Sequence, residues 1–365
     1  MKIILVVGTR PNFMKIAPIW EELRKSPRFF HPYLVHTGQH YDVQMSEIFF
    51  QQLGLPQPDR YLGVGSGSHA VQTAKVMVAF EQVLLDERPD LVMVVGDVNS
   101  TLACSLDAVK MRIPVAHVEA GLRSGDRTMP EEINRIVTDS VSDLLLTPSK
   151  DGDWNLRREG IPSDRIYLVG NVMIDTLRKL EHVADRSTVL EDLDLSPKEY
   201  VLVTLHRPSN VDDRETCWGI LSALGQIQER IRVVFTMHPR TAKQLDAFAF
   251  RSRIDAMRHL LLCDPVGYLD FLKLQKEARL VLTDSGGVQE ETTVLGVPCL
   301  TLRHNTERPI TVEVGTNLLV GTDEEKIVRE ANKILDGNFK KGEIPDLWDG
   351  KAAERIVKIL RTWLQ

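Results

Sequence analysis

Short apolar runs alternate with longer amphipathic stretches from one end of this 365-residue chain to the other. The runs are continuously apolar and rich in Val, Ile and Leu, which is typical of strands buried on both faces of a parallel sheet. Parallel strands need crossover connections, so helices are expected between them. The predicted strands of the first half are Ile3–Val7, Tyr33–Thr37, Leu91–Val95, Val115–Val118, Asp143–Thr147 and Ile166–Val169. The predicted helices are Pro11–Lys25, Val43–Leu53, His69–Asp86, Asn99–Met111 and Asp151–Glu159.

The same pattern starts again after Gly170, with a helix from about Val172 and a polar stretch, Asp185–Lys198, that is predicted to be a linker. The strands predicted after it are Tyr200–Leu205, Val233–Met237, Leu260–Cys263, Leu280–Thr283 and Cys299–Leu302, and Lys351–Leu364 is predicted to be a last helix. The predicted fold class is therefore α/β, with two doubly wound Rossmann-like domains that face each other across a cleft. We expect an N-terminal domain over residues 1–170, joined by the C-terminal helix at 351–365, and a C-terminal domain over residues 171–350.

Composition excludes several classes of partner. The formal net charge is −6, which predicts no basic surface for nucleic acid or for an anionic membrane. No apolar run approaches the length of a membrane span, and the run Met1–Val7 ends at Gly8, too early for the core of a signal peptide. The 4 cysteines are far apart and form no C-x-x-C pair, which favours a reducing compartment. We therefore expect a cytoplasmic protein that binds neither nucleic acid nor membranes.

Polar residues directly follow many of the predicted strands. Open α/β sheets bind ligands outside the carboxyl ends of their strands, so these residues are the candidates for a functional site. In the first domain they are Gly8-Thr9-Arg10, Gly96-Asp97 and Glu119, and in the second they are His206-Arg207, His238 and Asp284-Ser285-Gly286-Gly287.

A phosphate-binding turn is predicted at Ser285-Gly286-Gly287, between a strand and a helix. Two glycines allow close approach of a ligand, and the first N–H groups of a helix bind phosphate. The alternative is an ordinary N-cap followed by a glycine turn. Glu290 and Glu291 lie one turn further on, where a carboxylate could accept both hydroxyl groups of a ribose or simply face solvent.

Asp97, Glu119 and Glu131 are the candidates for proton transfer. Carboxylates that converge in a partly dry site shift each other's pKa values apart, which allows an acid and a base to coexist. Asp97 could instead cap the following helix, and Glu131 stands three residues after Thr128, as in a capping box. Glu119 is the hardest to explain structurally, because it interrupts an apolar strand end.

His206 is the best candidate among the histidines, although a lone histidine is more often a satisfied turn residue. Arg10, Lys15 and Arg308 are the cations nearest to the candidate loops. No G-x-G-x-x-G sequence follows the first strand, which disfavours nicotinamide or flavin chemistry. The Asp151-Gly152-Asp153 sequence has a metal-binding form, but it begins a predicted helix, where acids suit the helix dipole, so no metal is expected.

These residues, taken in order, resemble the non-hydrolysing UDP-N-acetylglucosamine 2-epimerases, which have the two-domain glycosyltransferase-B fold. The resemblance covers nearly the whole chain. Its motifs are Gly8-Thr9-Arg10-Pro11 with Lys15, Gly96-Asp97, His117-Val118-Glu119-Ala120-Gly121-Leu122-Arg123, Pro130-Glu131-Glu132 with Asn134-Arg135, His206-Arg207, Asp284-Ser285-Gly286-Gly287-Val288-Gln289-Glu290-Glu291 and Thr306-Glu307-Arg308-Pro309.

The resemblance implies interconversion of UDP-GlcNAc and UDP-ManNAc without a redox cofactor, by elimination of UDP to 2-acetamidoglucal and re-addition. It implies an acid/base role for Asp97, Glu119 and Glu131, and contact of His206 with the diphosphate. It also implies a homodimer. The substrate-binding residues that it implies are Arg10, Lys15, Arg135, Val266, Phe271, Ser285, Gly286, Gly287, Glu291 and Arg308, with Val266 and Phe271 at the uracil and Glu291 at the ribose.

Some stretches depart from the common pattern of the family. Gly38-Gln39-His40-Tyr41-Asp42 differs from the form linked to an activating second UDP-GlcNAc, so the resemblance does not extend to that site. Gly65-Ser66-Gly67-Ser68-His69 and Val312-Glu313-Val314-Gly315-Thr316-Asn317 resemble a sister branch that epimerises UDP-2,3-diacetamido-2,3-dideoxy-glucuronate. That sugar is the alternative substrate, and a glycosyltransferase of the same fold is a further alternative.

Overall fold

A computed structural model describes residues 1–38 and 53–363 of the chain. These residues form two compact units, the first comprising Met1–Thr176 with Asp346–Gln365 and the second Leu177–Pro345. The predicted helix Val43–Leu53 and the stretch Gly38-Gln39-His40-Tyr41-Asp42 lie, apart from Leu53 and Gly38, outside the described residues.

The first unit is built on a parallel sheet whose strand order is β3-β2-β1-β4-β5-β6-β7. Its described strands are β1 Lys2–Val7, β2 His31–His36, β3 Arg60–Tyr61, β4 Leu91–Val95, β5 Val115–Val118, β6 Leu144–Thr147 and β7 Ile166–Leu168. Its described helices are α1 Arg10–Arg24, α2 His69–Glu87, α3 Asn99–Lys110, α4 Pro130–Val141, α5 Lys150–Arg158, a 3-10 turn at Ser163–Arg165, α6 Val172–Ala184 and, near the C-terminus, α16 Ala352–Trp363.

The second unit repeats this architecture, with the parallel strand order β10-β9-β8-β11-β12-β13. Its described strands are β8 Tyr200–Thr204, β9 Arg232–Thr236, β10 Leu260–Cys263, β11 Leu280–Thr283, β12 Cys299–Thr301 and β13 Asn317–Leu319. Its described helices are α7 Val189–Asp192, α8 Pro208–Val211, α9 Arg214–Ile227, α10 Pro239–Ala247, α11 Arg251–Asp255, α12 Tyr268–Glu277, α13 Gly286–Leu295, α14 Pro309–Glu313 and α15 Glu324–Leu335.

Both faces of each sheet are buried, which explains why the strands read as continuous apolar runs. In β1, Ile4 and Val6 join a core cluster with Phe80 of α2, while the intervening Leu5 is fully buried on the opposite face. In β8 the same alternation divides the strand between two clusters, so that Val201 packs with residues of α9 and Leu202 with residues of α12. The prediction of two doubly wound Rossmann-like sheets is confirmed.

The structure also contains short strands that the apolar pattern does not predict. β3 and β13 are edge strands of two and three residues, and β3 consists of exposed Arg60 and Tyr61. A strand this short carries no measurable periodicity, and one at the edge of a sheet does not have to be apolar.

The stretch Asp185–Lys198 lies within the second unit and includes α7, while the boundary between the units falls inside α6.

No described helix is long and apolar enough to cross a membrane.

Candidate functional site

The strand order of the first unit brings three of the predicted polar strand ends together. β1 pairs with β4, and β4 pairs with β5, so the segments after these strands are neighbours at the carboxyl edge of the sheet. The backbone N–H of Gly96 donates a hydrogen bond to the carbonyl of Val118 at 3.2 Å, which joins the segment carrying Asp97 to the one carrying Glu119.

Lys15 and Glu119 form a buried ion pair at this edge. Their Nζ and Oε2 atoms are in direct contact, and each residue is only 7% exposed. A Cβ atom at Gly96 would lie 3.3 Å from Lys15 Nζ and 3.6 Å from Glu119 Oε2, so the pair lies beside the residue that precedes Asp97. Burial strengthens this attraction, because fewer water dipoles screen the two charges.

Glu119 has a backbone conformation that is uncommon for a residue with a side chain. Its φ is 72°, in the left-handed region, and its N–H donates to the carbonyl of Leu146 at 3.0 Å. Such a conformation costs free energy and persists where the surrounding structure demands it, which is common at functional sites. The chain therefore turns abruptly at Glu119, directly after β5, and this is the residue for which the sequence offered no structural explanation.

Asp97 also has a cationic partner, Arg135, which lies on α4. Arg135 contacts Asp97 Oδ2 through NH1, and its Nε and NH2 atoms donate to Glu132 Oε2 at 3.0 and 2.7 Å. Arg135, predicted to bind substrate, thus contacts a predicted acid/base residue in this structure. Glu132 is anchored in turn by the N–H groups of Ser124 and Gly125.

Glu131 is the second residue of α4 and is half-buried. It precedes Arg135 by four residues, so the two lie on the same face of the helix. The capping-box alternative is wrong: the N-cap is Met129, and the hydroxyl of Thr128 donates to Asp126 Oδ1 at 2.6 Å. The structure therefore gives Glu131 no capping role.

Arg10 is the exposed first residue of α1, at the same edge of the sheet. The turn before it is fixed by Asn12, whose Oδ1 accepts from the N–H groups of Gly8 and Thr9 at 3.1 and 3.0 Å. Asn12 Nδ2 donates to the carbonyl of Val95 at 3.1 Å, at the end of the neighbouring strand β4. One side chain therefore ties the loop of Arg10 to the strand that leads to Asp97.

In the second unit, His206 and Asp284 are brought together because β8 pairs with β11, with Thr204 opposite Thr283. His206 Nδ1 lies 2.9 Å from Asp284 Oδ1, and the N–H groups of His206 and Arg207 donate to the same carboxylate at 3.0 to 3.1 Å. Asp284 is fully buried. Burial opposes its ionisation, but the contact with the His206 side chain and the backbone hydrogen bonds hold its pKa below the ordinary value.

Ser285 is the N-cap residue of α13, but its side chain makes no capping hydrogen bond. Its own N–H donates to the hydroxyl of Thr283 at 3.0 Å. The first N–H groups of a helix have no acceptor one turn earlier within the helix, and the helix dipole makes this end positive. The start of α13 is thus suited to a phosphate group, as predicted for Ser285-Gly286-Gly287.

Arg308 lies against this helix start. A Cβ atom at Gly286 would be 2.3 Å from Arg308 NH1, so only glycine leaves room for the guanidinium. Arg308 donates to Glu290 Oε1 at 2.6 Å and to Glu307 Oε1 at 2.5 Å. Burial opposes ionisation of Glu307, but Arg308, Arg303 and Arg207 outweigh it and hold its pKa well below the ordinary value.

Glu291 is buried one turn into α13 and is hydrogen-bonded within the unit. Its oxygens accept from Tyr268 Oη at 2.9 Å and from Gln275 Nε2 at 2.7 Å. Burial raises its pKa despite these bonds. The predicted uracil residues, Val266 and Phe271, are half-buried and pack against the core cluster that includes Val288 of α13. All three predicted nucleoside contacts therefore lie close to this helix.

Asp151 and Asp153 lie in the first turn of α5, as the helix-start reading requires. The carboxylate of Asp153 accepts from the hydroxyl of Thr147. Within residues 1–38 and 53–363, no group of three or more His, Cys, Asp or Glu side chains is arranged to hold a metal ion.

Sequence reasoning missed the supporting residues of the site. Asp284 was visible only as one more polar strand end, although it orients His206, and Glu307 was visible only as part of a motif, although it holds Arg308. Asn12 gave no signal at all, because its bond to the carbonyl of Val95 depends on how β1 and β4 pair. Knowledge of the strand order would have found Asp284, since β8 and β11 are neighbours.

Comparisons with known proteins agree with this geometry. The family model for UDP-N-acetylglucosamine 2-epimerase matches residues 21–361. A UDP-N-acetylglucosamine 2-epimerase from Methanocaldococcus jannaschii is 45% identical, with 99% of each chain covered. A UDP-2,3-diacetamido-2,3-dideoxy-D-glucuronate 2-epimerase from Pseudomonas aeruginosa is 40% identical, again with 99% of each chain covered.

Solved structures give the same result. The Methanocaldococcus jannaschii UDP-GlcNAc 2-epimerase in complex with UDP-GlcNAc and UDP is similar with a TM-score of 0.92, covering 99% of this chain and 100% of that one, at 45% identity. The Neisseria meningitidis UDP-GlcNAc 2-epimerase bound to UDP-GlcNAc has a TM-score of 0.90 at 30% identity, covering 99% of this chain and 100% of that one. With sequence motifs, fold and relatives in agreement, the chain belongs to the UDP-N-acetylglucosamine 2-epimerase family, a family of isomerases.

Proposed function

We propose that this protein interconverts UDP-GlcNAc and UDP-ManNAc by eliminating UDP and adding it back. The observation that carries the proposal is the pair of cation-bound carboxylates, Glu119 with Lys15 and Asp97 with Arg135, at neighbouring strand ends. A reaction at a poorly acidic carbon needs positioned groups that accept and donate protons, and these carboxylates are of that type. The solved relative in complex with UDP-GlcNAc and UDP supports this choice of substrate.

The second unit would hold the UDP part of the substrate. Backbone N–H groups of Ser285, Gly286 and Gly287 and the guanidinium of Arg308 would stabilise the diphosphate, which gains negative charge as it leaves. His206 would contact the same diphosphate, because Asp284 engages Nδ1 and leaves Nε2 directed elsewhere. The nucleoside would lie along α13, with Glu291 at the ribose and Val266 and Phe271 at the uracil.

The first unit would supply the groups that move protons. One carboxylate takes the proton from C2, the C–H electrons form the C1–C2 double bond, and the C1–O bond breaks with its electrons leaving on UDP. The products are 2-acetamidoglucal and UDP. A second group then protonates C2 on its other face, and UDP adds again at C1. Asp97, Glu119 and Glu131 are the groups proposed for these steps, with Arg10, Lys15 and Arg135 as supporting cations.

The second candidate substrate is UDP-2,3-diacetamido-2,3-dideoxy-glucuronate. It is supported by the Pseudomonas aeruginosa relative, which is 40% identical. It is also supported by the resemblance of Gly65-Ser66-Gly67-Ser68-His69 to that branch. The reaction would be the same, since the two sugars share the acetamido group and the proton at C2.

The experiment that tests the proposal is incubation with UDP-GlcNAc in deuterium oxide, followed by proton NMR. We expect UDP-ManNAc to appear with deuterium at C2. Scrambling of an 18O label between the bridging and nonbridging positions of the β-phosphate would report cleavage of the C1–O bond. Exchange with the diacetamido-uronate but not with UDP-GlcNAc would select the second candidate. Transfer of GlcNAc to an acceptor without exchange at C2 would select a glycosyltransferase.

Glu119→Gln is the variant that links the reaction to the site. It removes the carboxylate with little change in volume, so we expect C2 exchange to fall by at least about 100-fold. UDP affinity should stay within about twofold, because the UDP-binding groups belong to the other unit. Glu22→Gln, at a half-buried position near the C-terminal end of α1, is the matched control and should exchange at the wild-type rate. Full activity of Glu119→Gln would contradict the proposed role.

We infer that the protein forms a homodimer through α2. Val71, Val78 and Leu85 are spaced by seven residues on this helix and are 48%, 75% and 52% exposed. Residues seven apart form one stripe along a helix, and an apolar stripe is suited to pack against a second copy of itself across a twofold axis.

We also infer a reducing compartment, the cytoplasm, because all four cysteines are free and buried. Cell fractionation with an antibody against the protein would test the compartment.

A further inference from the structure

His117 lies within β5, fully buried, with a hydrogen-bond partner at each of its ring nitrogens. Nδ1 is 2.6 Å from Oδ1 of Asp139, and Nε2 is 2.9 Å from the carbonyl oxygen of Gly96. Since a carbonyl oxygen only accepts hydrogen bonds, Nε2 carries a hydrogen. The residues opposite His117 on the adjacent strands, Val94 and Leu145, are apolar and offer the ring no alternative partner.

Asp139 accepts hydrogen bonds on both oxygens. Besides its contact with His117, its Oδ2 accepts from the N–H of Gly121 at 3.0 Å and lies 2.7 Å from NH1 of Arg123. Burial opposes ionisation of this carboxyl group, but the permanent charge of Arg123 and the hydrogen bonds at its oxygens hold its pKa below the ordinary value. An ionised carboxylate has no hydrogen to donate, so Nδ1 of His117 carries one as well. The ring is then an imidazolium with two N–H groups.

The two hydrogen bonds of His117 and the backbone bond of Asp139 connect the segments that carry the proposed acid/base groups. His117 holds the carbonyl of Gly96, the residue directly before Asp97. Asp139 holds the N–H of Gly121, two residues after Glu119. Gly96 and Gly121 have φ values of 70° and 83°, so both segments turn sharply where they are held.

We propose that His117 and Asp139 form a buried imidazolium–carboxylate pair that positions Asp97 and Glu119 for proton transfer at C2 of the sugar. This role rests on the proposed function. His117 and Asp139 are positioning residues, since both are buried behind the strand ends. A neutral imidazole has one N–H group and would leave the Gly96 carbonyl or the Asp139 carboxylate without its bond, so the spacing of the two segments depends on the charge.

The charge is tested on the wild-type protein by nitrogen NMR of chains labelled with 15N-histidine. The chain has 10 histidines. We expect one ring to keep the signature of a doubly protonated imidazolium at pH 9 and to lose it in Asp139→Asn. The conservative variant Asp139→Glu should retain the signature. If all histidine rings are neutral at pH 9, the proposal is overturned without any measurement of activity.

The positioning role is tested by the kinetics of the same variants. In Asp139→Asn, we expect kcat for C2 exchange to fall roughly 10- to 100-fold, with KM and UDP affinity within about twofold of wild type. Asp139→Glu should lose less. Asp143→Asn is the matched control, because Asp143 Oδ2 bonds the N–H of Val115 at the opposite end of β5 at 3.0 Å, and it should keep the wild-type kcat.

The outcomes separate this inference from the proposed function. Absence of C2 exchange in the wild-type protein would overturn the proposed function and this role with it. Exchange in the wild type with an undiminished kcat in Asp139→Asn would overturn the positioning role alone. Equal losses in Asp139→Asn and Asp143→Asn would also overturn it, because any weakening of β5 would then have the same effect.

Discussion

Nδ1 of His206 lies 2.9 Å from Oδ1 of Asp284, although the two residues are 78 positions apart in the chain. The carboxylate also accepts the backbone N–H groups of His206 and Arg207 and the side-chain amide of Asn210. It therefore fixes both the loop and the orientation of the ring. An imidazole held through Nδ1 presents Nε2 to a partner, an arrangement that suits contact with a leaving phosphate.

Asp284→Asn should reduce kcat by about 100-fold or more, because the amide can donate to Nδ1 and thereby change the tautomer of His206. His206→Asn should have a similar effect, and the double variant should be no worse than the more damaging single variant, since the two residues act as a unit. Steady-state kinetics of the four proteins check this. Losses that multiply in the double variant would show that Asp284 acts independently of His206.

Gly286→Ala should weaken UDP binding by about tenfold or more, because the added Cβ would lie 2.3 Å from Arg308 NH1 and would displace the guanidinium. Titration calorimetry with UDP measures the effect. Gly219→Ala is the matched control: it lies within α9, where the nearest atom to a new Cβ is 4.0 Å away. Wild-type UDP affinity in Gly286→Ala would mean that Arg308 does not bind the nucleotide.

Lys15→Met should abolish most of the activity and destabilise the fold by about 3–5 kcal/mol, because it leaves the buried Glu119 carboxylate without its cation. The free energy of unfolding in urea and the C2 exchange rate are the two measurements. Lys25→Met is the control at the end of the same helix. Lys25 pairs with Glu22, and its side chain is 59% exposed, so the substitution should lower the free energy of unfolding by no more than about 1 kcal/mol. Equal losses in the two variants would contradict the importance of burial.

Asp107→Asn should stabilise the protein at neutral pH. Burial, followed by the charge of Glu81, raises the pKa of Asp107 to about 6, and its Oδ2 has no hydrogen-bond partner among the described residues. An acid whose pKa is raised on folding favours the folded state at low pH and disfavours it as the pH rises through about 6.

The gain in unfolding free energy from Asp107→Asn should therefore be about 1–2 kcal/mol at pH 8, allowing for partial solvation, and smaller at pH 5. Urea unfolding at both values checks the sign. Asp164→Asn, at an exposed position, should show no such dependence on pH. A gain that is larger at pH 5 than at pH 8 would contradict the argument.

Val78→Lys should convert the proposed homodimer to a monomer, because it places a charge in the middle of the apolar stripe on α2. Light scattering after size-exclusion chromatography measures the mass. Leu318→Lys is the control, since Leu318 is 41% exposed on β13 and is not part of α2. A wild-type protein that is monomeric, or a Val78→Lys variant that remains dimeric, would exclude this interface.

The sequence by itself determined the repeated strand–helix pattern, the two parallel sheets and the strand ends at which Asp97, Glu119, His206 and Gly286 lie. These depend on local periodicity and on the rule that ligands bind at the carboxyl edge of such sheets. The sequence did not predict short edge strands such as β3, because two exposed residues are too few to show a hydrophobic periodicity.

Only the tertiary structure decided which of these residues touch. Lys15 meets Glu119 across 104 positions because β1 and β5 both flank β4, and His206 meets Asp284 because β8 lies beside β11. Strand order is set by the packing of the whole unit, to which every buried side chain contributes, and no local pattern encodes it. The charge on His117 also depends on the tertiary structure. One of its two partners, Gly96, directly follows β4, and the other, Asp139, lies on α4.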